Sequence, residues 1–143
     1  MTLDEDFDKF IAEMQKKVEH DEEKIFSKTV IREYRNPTNF GILVNPDRSG
    51  MLKGSCGDTM RIDLQIKNDI ITNARFWTDG CGPSIACGNM LIKMIIGKTV
   101  KEVMNITSNQ LLDSLDGLPK DHRHCAILAI LTLNKTINRY NKE

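Results

Sequence analysis

The chain lacks any long apolar run: nowhere in its 143 residues does a hydrophobic stretch approach the ~20 residues that cross a bilayer, so no membrane partner is expected. It lacks an excess of one charge. Lysine plus arginine number 20 and aspartate plus glutamate 20, against the basic balance that a nucleic-acid binder carries. The opening segment, Met1 to Asp8, is acidic and polar. It has neither a basic n-region nor an apolar h-region, which argues against a secretory leader and for the cytoplasm, where thiols stay reduced. The chain also has no Cys-x-x-Cys, so the usual zinc-finger and thioredoxin signatures are missing. A chain of this length is one domain's worth and buries roughly two-thirds of its unfolded surface, enough to fold without a disulfide or a metal.

What is present is a pattern of helix, then strands, then helices. Phe7, Phe10, Ile11, Met14 and Val18 fall on one helical face, and a second apolar set runs from Ile25 to Tyr34. The spacing leaves open one long helix or two with a break near His20-Asp21; Asn36-Pro37 ends the region. Asn36 to Gly57 reads as loop, with a short strand at Gly50 to Gly54. Met60, Ile62, Leu64 and Ile66 alternate with polar residues, Asn68-Asp69 is a turn, and Ile70 to Thr78 is the return strand of a hairpin. Helical spacing resumes from Ile85 to Ile96. Two short helices follow, Thr99 to Val103 and Ser108 to Leu115, and then a last one from near Asp121 to about Tyr140. The expected fold is α+β: a small antiparallel sheet with helices on one face, preceded by an N-terminal helical extension over residues 1–24 and with the main domain over 25–143.

Four cysteines stand in this frame. Cys56 precedes the first hairpin strand and Cys81 follows the second, so antiparallel pairing sets both at one end of the sheet. Glycines flank both, a poor context for core packing. Cys125 opens the last helix, where the helix N-terminus favours the thiolate, the form that binds metal. His124 and Asp58 lie within reach by sequence. Cys87, among small helical residues, reads as packing. His122, two positions from His124, is expected to point to a different face. A thiol hydrolase is disfavoured, because on a helix the neighbours His124 and Cys125 diverge rather than form a nucleophile–base pair.

These residues resemble the U-type iron–sulfur cluster scaffold family, of the IscU/NifU N-terminal type. The similarity covers about Ser27 to Tyr140. It is carried by Tyr34-Arg35-Asn36-Pro37-Thr38-Asn39-Phe40-Gly41, by Cys56-Gly57-Asp58, by Gly80-Cys81-Gly82-Pro83-Ser84-Ile85-Ala86 and by Leu118-Pro119 to His124-Cys125-Ala126-Ile127-Leu128-Ala129. The resemblance implies a three-stranded antiparallel sheet with packed helices. It implies a carrier rather than an enzyme, one that takes sulfur from a cysteine desulfurase, builds a [2Fe–2S] or [4Fe–4S] cluster and passes it to apo-proteins. The implied ligands are Cys56, Asp58, Cys81, His124 and Cys125, with Cys125 as sulfur acceptor and a homodimer as one possible assembly. Zinc or iron would occupy the same residues in the cluster-free form. Two alternatives stand beside it: a zinc-bound sulfur acceptor that stimulates a desulfurase, and a zinc-stabilised interaction module. Members served by a dedicated Hsp70 carry Leu-Pro-Pro-Val-Lys before His-Cys. Here the stretch is Leu118-Pro119-Lys120-Asp121-His122, which puts that chaperone contact in question. His124 and the lack of an insertion before the last helix lean toward the IscU side rather than the zinc-dependent SufU branch.

Overall fold

The computed structural model describes residues 2–141. The first helix, α1 (Leu3–Ile25), opens on a capping box in which Thr2 Oγ1 accepts from the Glu5 N–H and Glu5 reaches back to the Thr2 N–H. It is continuous through His20-Asp21. The break comes at Phe26–Ser27, because Ser27 starts α2 (Lys28–Arg35): its hydroxyl accepts from the Val30 N–H at 3.0 Å and donates to the Leu115 carbonyl at 2.6 Å. No residue of α1 is buried, whereas α2 buries Val30, Ile31 and Glu33.

Three strands follow, β1 (Arg48–Lys53), β2 (Thr59–Lys67) and β3 (Ile70–Thr78), antiparallel in the order β1-β2-β3. The β2–β3 turn places both Asn68 and Asp69 at positive φ, 53° and 63°, a conformation that Asn and Asp tolerate and that matches the twist of the strands it joins. Met60 pairs with Thr78, Ile62 with Phe76 and Leu64 with Ala74, and one bulge falls between Gln65 and Ile66. Met60, Ile62, Leu64 and Phe76 form the fully buried face of the sheet. Burial of each such side chain contributes about 1.5–3 kcal/mol.

Helix α3 (Gly82–Ile95) packs on β3 and α6 (His124–Asn141) on β1 and β2, joined by the short helices α4 (Val100–Met104) and α5 (Ser108–Ser114). Two glycines set the closeness of this packing. A Cβ on Gly88 would run into the Phe76 ring, and one on Gly50 into the hydroxyl of Thr136 and the α6 backbone. Thr132 and Thr136 are buried yet satisfied, donating to the carbonyls of Leu128 and Thr132 at 2.7 and 2.8 Å. The opposite sheet face is not left bare. The segment 39–47 runs from the β3 edge, where the Gly41 N–H donates to the Phe76 carbonyl, past Asp63, which accepts from the Leu43 N–H, to the start of β1. Asp63 is thereby 1% exposed and also receives Arg61 Nε at 2.8 Å. The architecture is thus the α+β arrangement expected, with the helices packed on one sheet face. Among the described residues no helix is long and apolar enough to cross a membrane.

Candidate metal centre

One end of the sheet gathers the chemistry. The β1–β2 connection, Gly54 to Asp58, is a tight turn closed by the Gly54 N–H donating to the Asp58 carbonyl at 2.7 Å. Cys56 sits exposed at its tip, beside Gly57 at φ 89°. Across β2, the register brings the end of β3 and the Asp79-Gly80-Cys81 segment to the same edge. Thr59 N–H donates to Asp79 Oδ1 at 2.7 Å and fastens the two connections together.

Cys81 occupies the N-cap position of α3, and its carbonyl accepts the helix's first bond from the Ile85 N–H at 3.1 Å. A serine or aspartate there would normally spend its side chain on the helix; the Cys81 side chain makes no such cap bond and remains exposed. Pro83, in the first turn, needs no amide partner, which starts α3 three residues earlier than the apolar spacing indicates.

The third cysteine arrives from α6. Leu118-Pro119 leads into a 3-10 turn, Lys120–His122, and α6 begins only at His124, so Cys125 lies in its first turn. Cys125 is 1% exposed. Ser84, a residue the sequence reading passed over, joins the groups: its Oγ lies 3.3 Å from Cys125 Sγ, 3.3 Å from Asp58 Oδ2 and 4.0 Å from Cys81 Sγ. The one hydroxyl proton serves either the sulfur or the carboxylate. His124 Nε2 stands 3.7 Å from Cys125 Sγ.

The donor atoms that converge most closely are those of Cys81, His122 and Cys125, all within 4.8 Å of one another. Asp58 meets this trio through Ser84 and His124 touches it at Cys125, while Cys56, on the turn that carries Asp58, lies outside it. The expectation that His122 faces away does not hold. The two histidines are not on one helix, because the 3-10 turn intervenes, and their ring centroids are 6.5 Å apart. Cys87 is fully buried in the core cluster, as its small helical neighbours indicated.

The electrostatics reverse another expectation. Burial pushes the Cys125 thiol up to about 11, more than the Ser84 hydrogen bond lowers it, with the Cys81 and Asp58 charges adding to the rise. Burial thus opposes the thiolate that the helix start is expected to favour. Two thiols and an imidazole suit zinc and iron far better than magnesium or calcium. Donors around a tetrahedral zinc stand about 3.3–3.8 Å apart, given metal–ligand bonds near 2.0–2.3 Å. The trio thus needs closing by only about an ångström, within the reach of side-chain rotation.

The sequence profile of the NifU-like N terminal domain matches residues 25–143. The chain is 34% identical over 118 residues to the iron–sulfur cluster assembly scaffold protein IscU of Aquifex aeolicus, covering 80% of this chain and 75% of that one. Its identity to the protein of the same description from Escherichia coli K12 is 34% over 123 residues, 82% and 95% of the two chains. Among solved structures, it is similar to a putative SUF-system scaffold from Fervidobacterium islandicum (TM-score 0.67, 24% identity, 80% and 97% coverage). It also resembles a NifU-like N-terminal protein from Brucella abortus (TM-score 0.65, 17% identity, 82% and 94% coverage).

Proposed function

The chain belongs to the NifU-like N-terminal domain family, and from that membership we propose that it is a scaffold on which an iron–sulfur cluster is built and from which the cluster is released to apo-proteins. The observation that carries this reading is the convergence of Cys81 and Cys125 with an imidazole inside 4.8 Å, at the rim of the molecule. A catalytic metal would be held for good, whereas a scaffold must let its cargo go. Cys56, Cys81 and Cys125 are assigned as the thiolate ligands, with Asp58 and His124 as harder or intermediate donors. Such a mixture holds iron less firmly than four thiolates would. Exposure of Cys56 and Cys81 leaves two of the thiolates open to an acceptor.

Sulfur delivery follows from the same chemistry. A desulfurase persulfide offers its outer sulfur to a thiolate. A new S–S bond forms on the acceptor, and the desulfurase cysteine leaves as thiolate. We assign this acceptor role to Cys125. Burial favours its protonated form, and a cation bound at the site would displace that proton and leave a thiolate able to attack the persulfide. The sulfur source is accordingly a cysteine desulfurase, and the recipients are apo iron–sulfur proteins.

Anaerobic reconstitution with iron, sulfide and a thiol tests the reading. We expect a visible charge-transfer spectrum that is lost or short-lived when Cys56, Cys81 or Cys125 is changed to Ser and retained in Cys87→Ala. A stable, transferable cluster in Cys81→Ser would overturn the ligand assignment. Incubation with a desulfurase and cysteine, followed by mass spectrometry, should give a persulfide on Cys125 only when ferrous iron or zinc is present.

A further inference from the structure

We propose that His122 is itself a metal ligand, forming with Cys81 and Cys125 a mononuclear site for a sulfur- and imidazole-preferring divalent ion, zinc or ferrous iron. The inference rests on the reading that Cys81 and Cys125 serve a metal, and it adds a donor outside the Cys56, Asp58, Cys81, His124, Cys125 set. Three observations carry it.

The first is distance. The His122 ring nitrogen, Cys81 Sγ and Cys125 Sγ are mutually within 4.8 Å, the tightest group of possible ligand atoms among the described residues. The second is how the ring is held. The 3-10 turn, closed by the His122 N–H donating to the Pro119 carbonyl at 2.9 Å, turns this side chain back toward the α3 start. There the ring meets Phe26 at a centroid distance of 5.5 Å, and Phe26 in turn meets Tyr34 edge-on at 6.2 Å. Tyr34 lies against Gly82, where a Cβ would come within 3.2 Å of its ring. The imidazole is thus backed by aromatic surface on one side and faces the two sulfurs on the other. The third is the space beside it. A cavity of about 320 Å³ is lined by Phe26, Tyr34, Cys81, Gly82, Pro83 and His122, together with Glu22.

Two thiolates and one imidazole would hold the ion and leave room for a further donor, such as His124, which stands 3.7 Å from Cys125 Sγ, or Asp58. An open position on a three-ligand zinc or iron is where chemistry takes place, in contrast to a closed four-ligand structural site. The plainer role for His122, an aromatic edge packed on Phe26, explains the ring contact but not the convergence of its nitrogen with two sulfurs.

The test uses the full chain, reduced and stripped of metal, with cobalt(II) as the spectroscopic probe and zinc in competition. His122→Phe keeps the aromatic packing and removes the donor. We expect it to weaken zinc at least ~10-fold and to alter the cobalt spectrum. In the unmodified protein, zinc should shift the His122 ring nitrogen resonance in a long-range proton–nitrogen correlation, an outcome that needs no variant to fold. If His122→Phe binds zinc as the parent does and the ring nitrogen does not move, while Cys81→Ser and Cys125→Ser lose binding, this inference falls and the cysteine site stands. If the two cysteine variants also bind as the parent does, both fall together.

Discussion

Cys125 shows how far a single residue's surroundings can reverse its expected chemistry. A cysteine in a helix's first turn is expected as a thiolate, yet here burial dominates and its pKa rises to about 11. The sign of the consequence is fixed. Between the ordinary thiol value near 9 and about 11, the unfolded chain gives up this proton while the folded protein keeps it. Stability is therefore fully present below pH 9 and falls as pH rises toward 11, by on the order of 2 kcal/mol. Chelator-treated protein and Cys125→Ala, unfolded in urea at pH 8 and pH 10.5, should differ less at the higher pH. A constant difference would mean that the thiol titrates normally. The sequence could name Cys125 from its His-Cys setting, but not its burial, which depends on Ser84, Cys81 and the core arriving from elsewhere. His122 was missed for a related reason. Counting two residues along a helix gives the wrong face when a 3-10 turn ends before the helix begins.

At the scale of elements, most of the framework was legible, and what escaped was decided by caps and close approaches. The hairpin's alternation and its Asn68-Asp69 turn were read directly, because register follows from a two-residue period and turn chemistry. The break before α2 was not, because it depends on Ser27 reaching the Leu115 carbonyl 88 residues away. The glycines separate packing from site. A Cβ on Gly88 must displace the buried Phe76 ring, whose Cε2 lies 2.7 Å away, so Gly88→Ala should cost about 1–3 kcal/mol in urea unfolding while the folded fraction still binds zinc. A Cβ on Gly80 would instead meet Ser84 Oγ at 2.7 Å and Asp58 Oδ2 at 2.9 Å. Gly80→Ala should therefore disturb cobalt or zinc binding more than stability. Equal loss of binding in both variants would show that site and core are not separable at this edge.

For the whole molecule, the question is what α1 adds. The notable asymmetry is one of charge: Leu3–Ile25 carries nine acidic and four basic residues in a chain that is neutral overall, so the rest of the protein is basic by the same margin. The helix is tied to the body chiefly at its C-terminal end, by Arg35 reaching Glu22 at 2.5 Å and Glu19 at 4.0 Å. Burial raises the Tyr34 hydroxyl to about 12, helped by its bond to Glu22. Exposed ion pairs of this kind contribute little, typically 1 kcal/mol or less, and α1 buries no side chain. The cap and the buried contacts that anchor α2 begin at Phe26 and Ser27, beyond the proposed boundary between residues 24 and 25. A chain starting at Ile25 should therefore unfold in one cooperative transition within a few degrees of the full protein, with less helical ellipticity per residue. It should bind zinc with unchanged affinity. A large drop in the thermal midpoint, or loss of cooperativity, would mean that α1 belongs to the folding unit and that the boundary at residue 24 is misplaced. If the midpoint holds but zinc binding weakens, the cause lies at Glu22, the one residue of α1 that also lines the cavity beside His122 and Cys81.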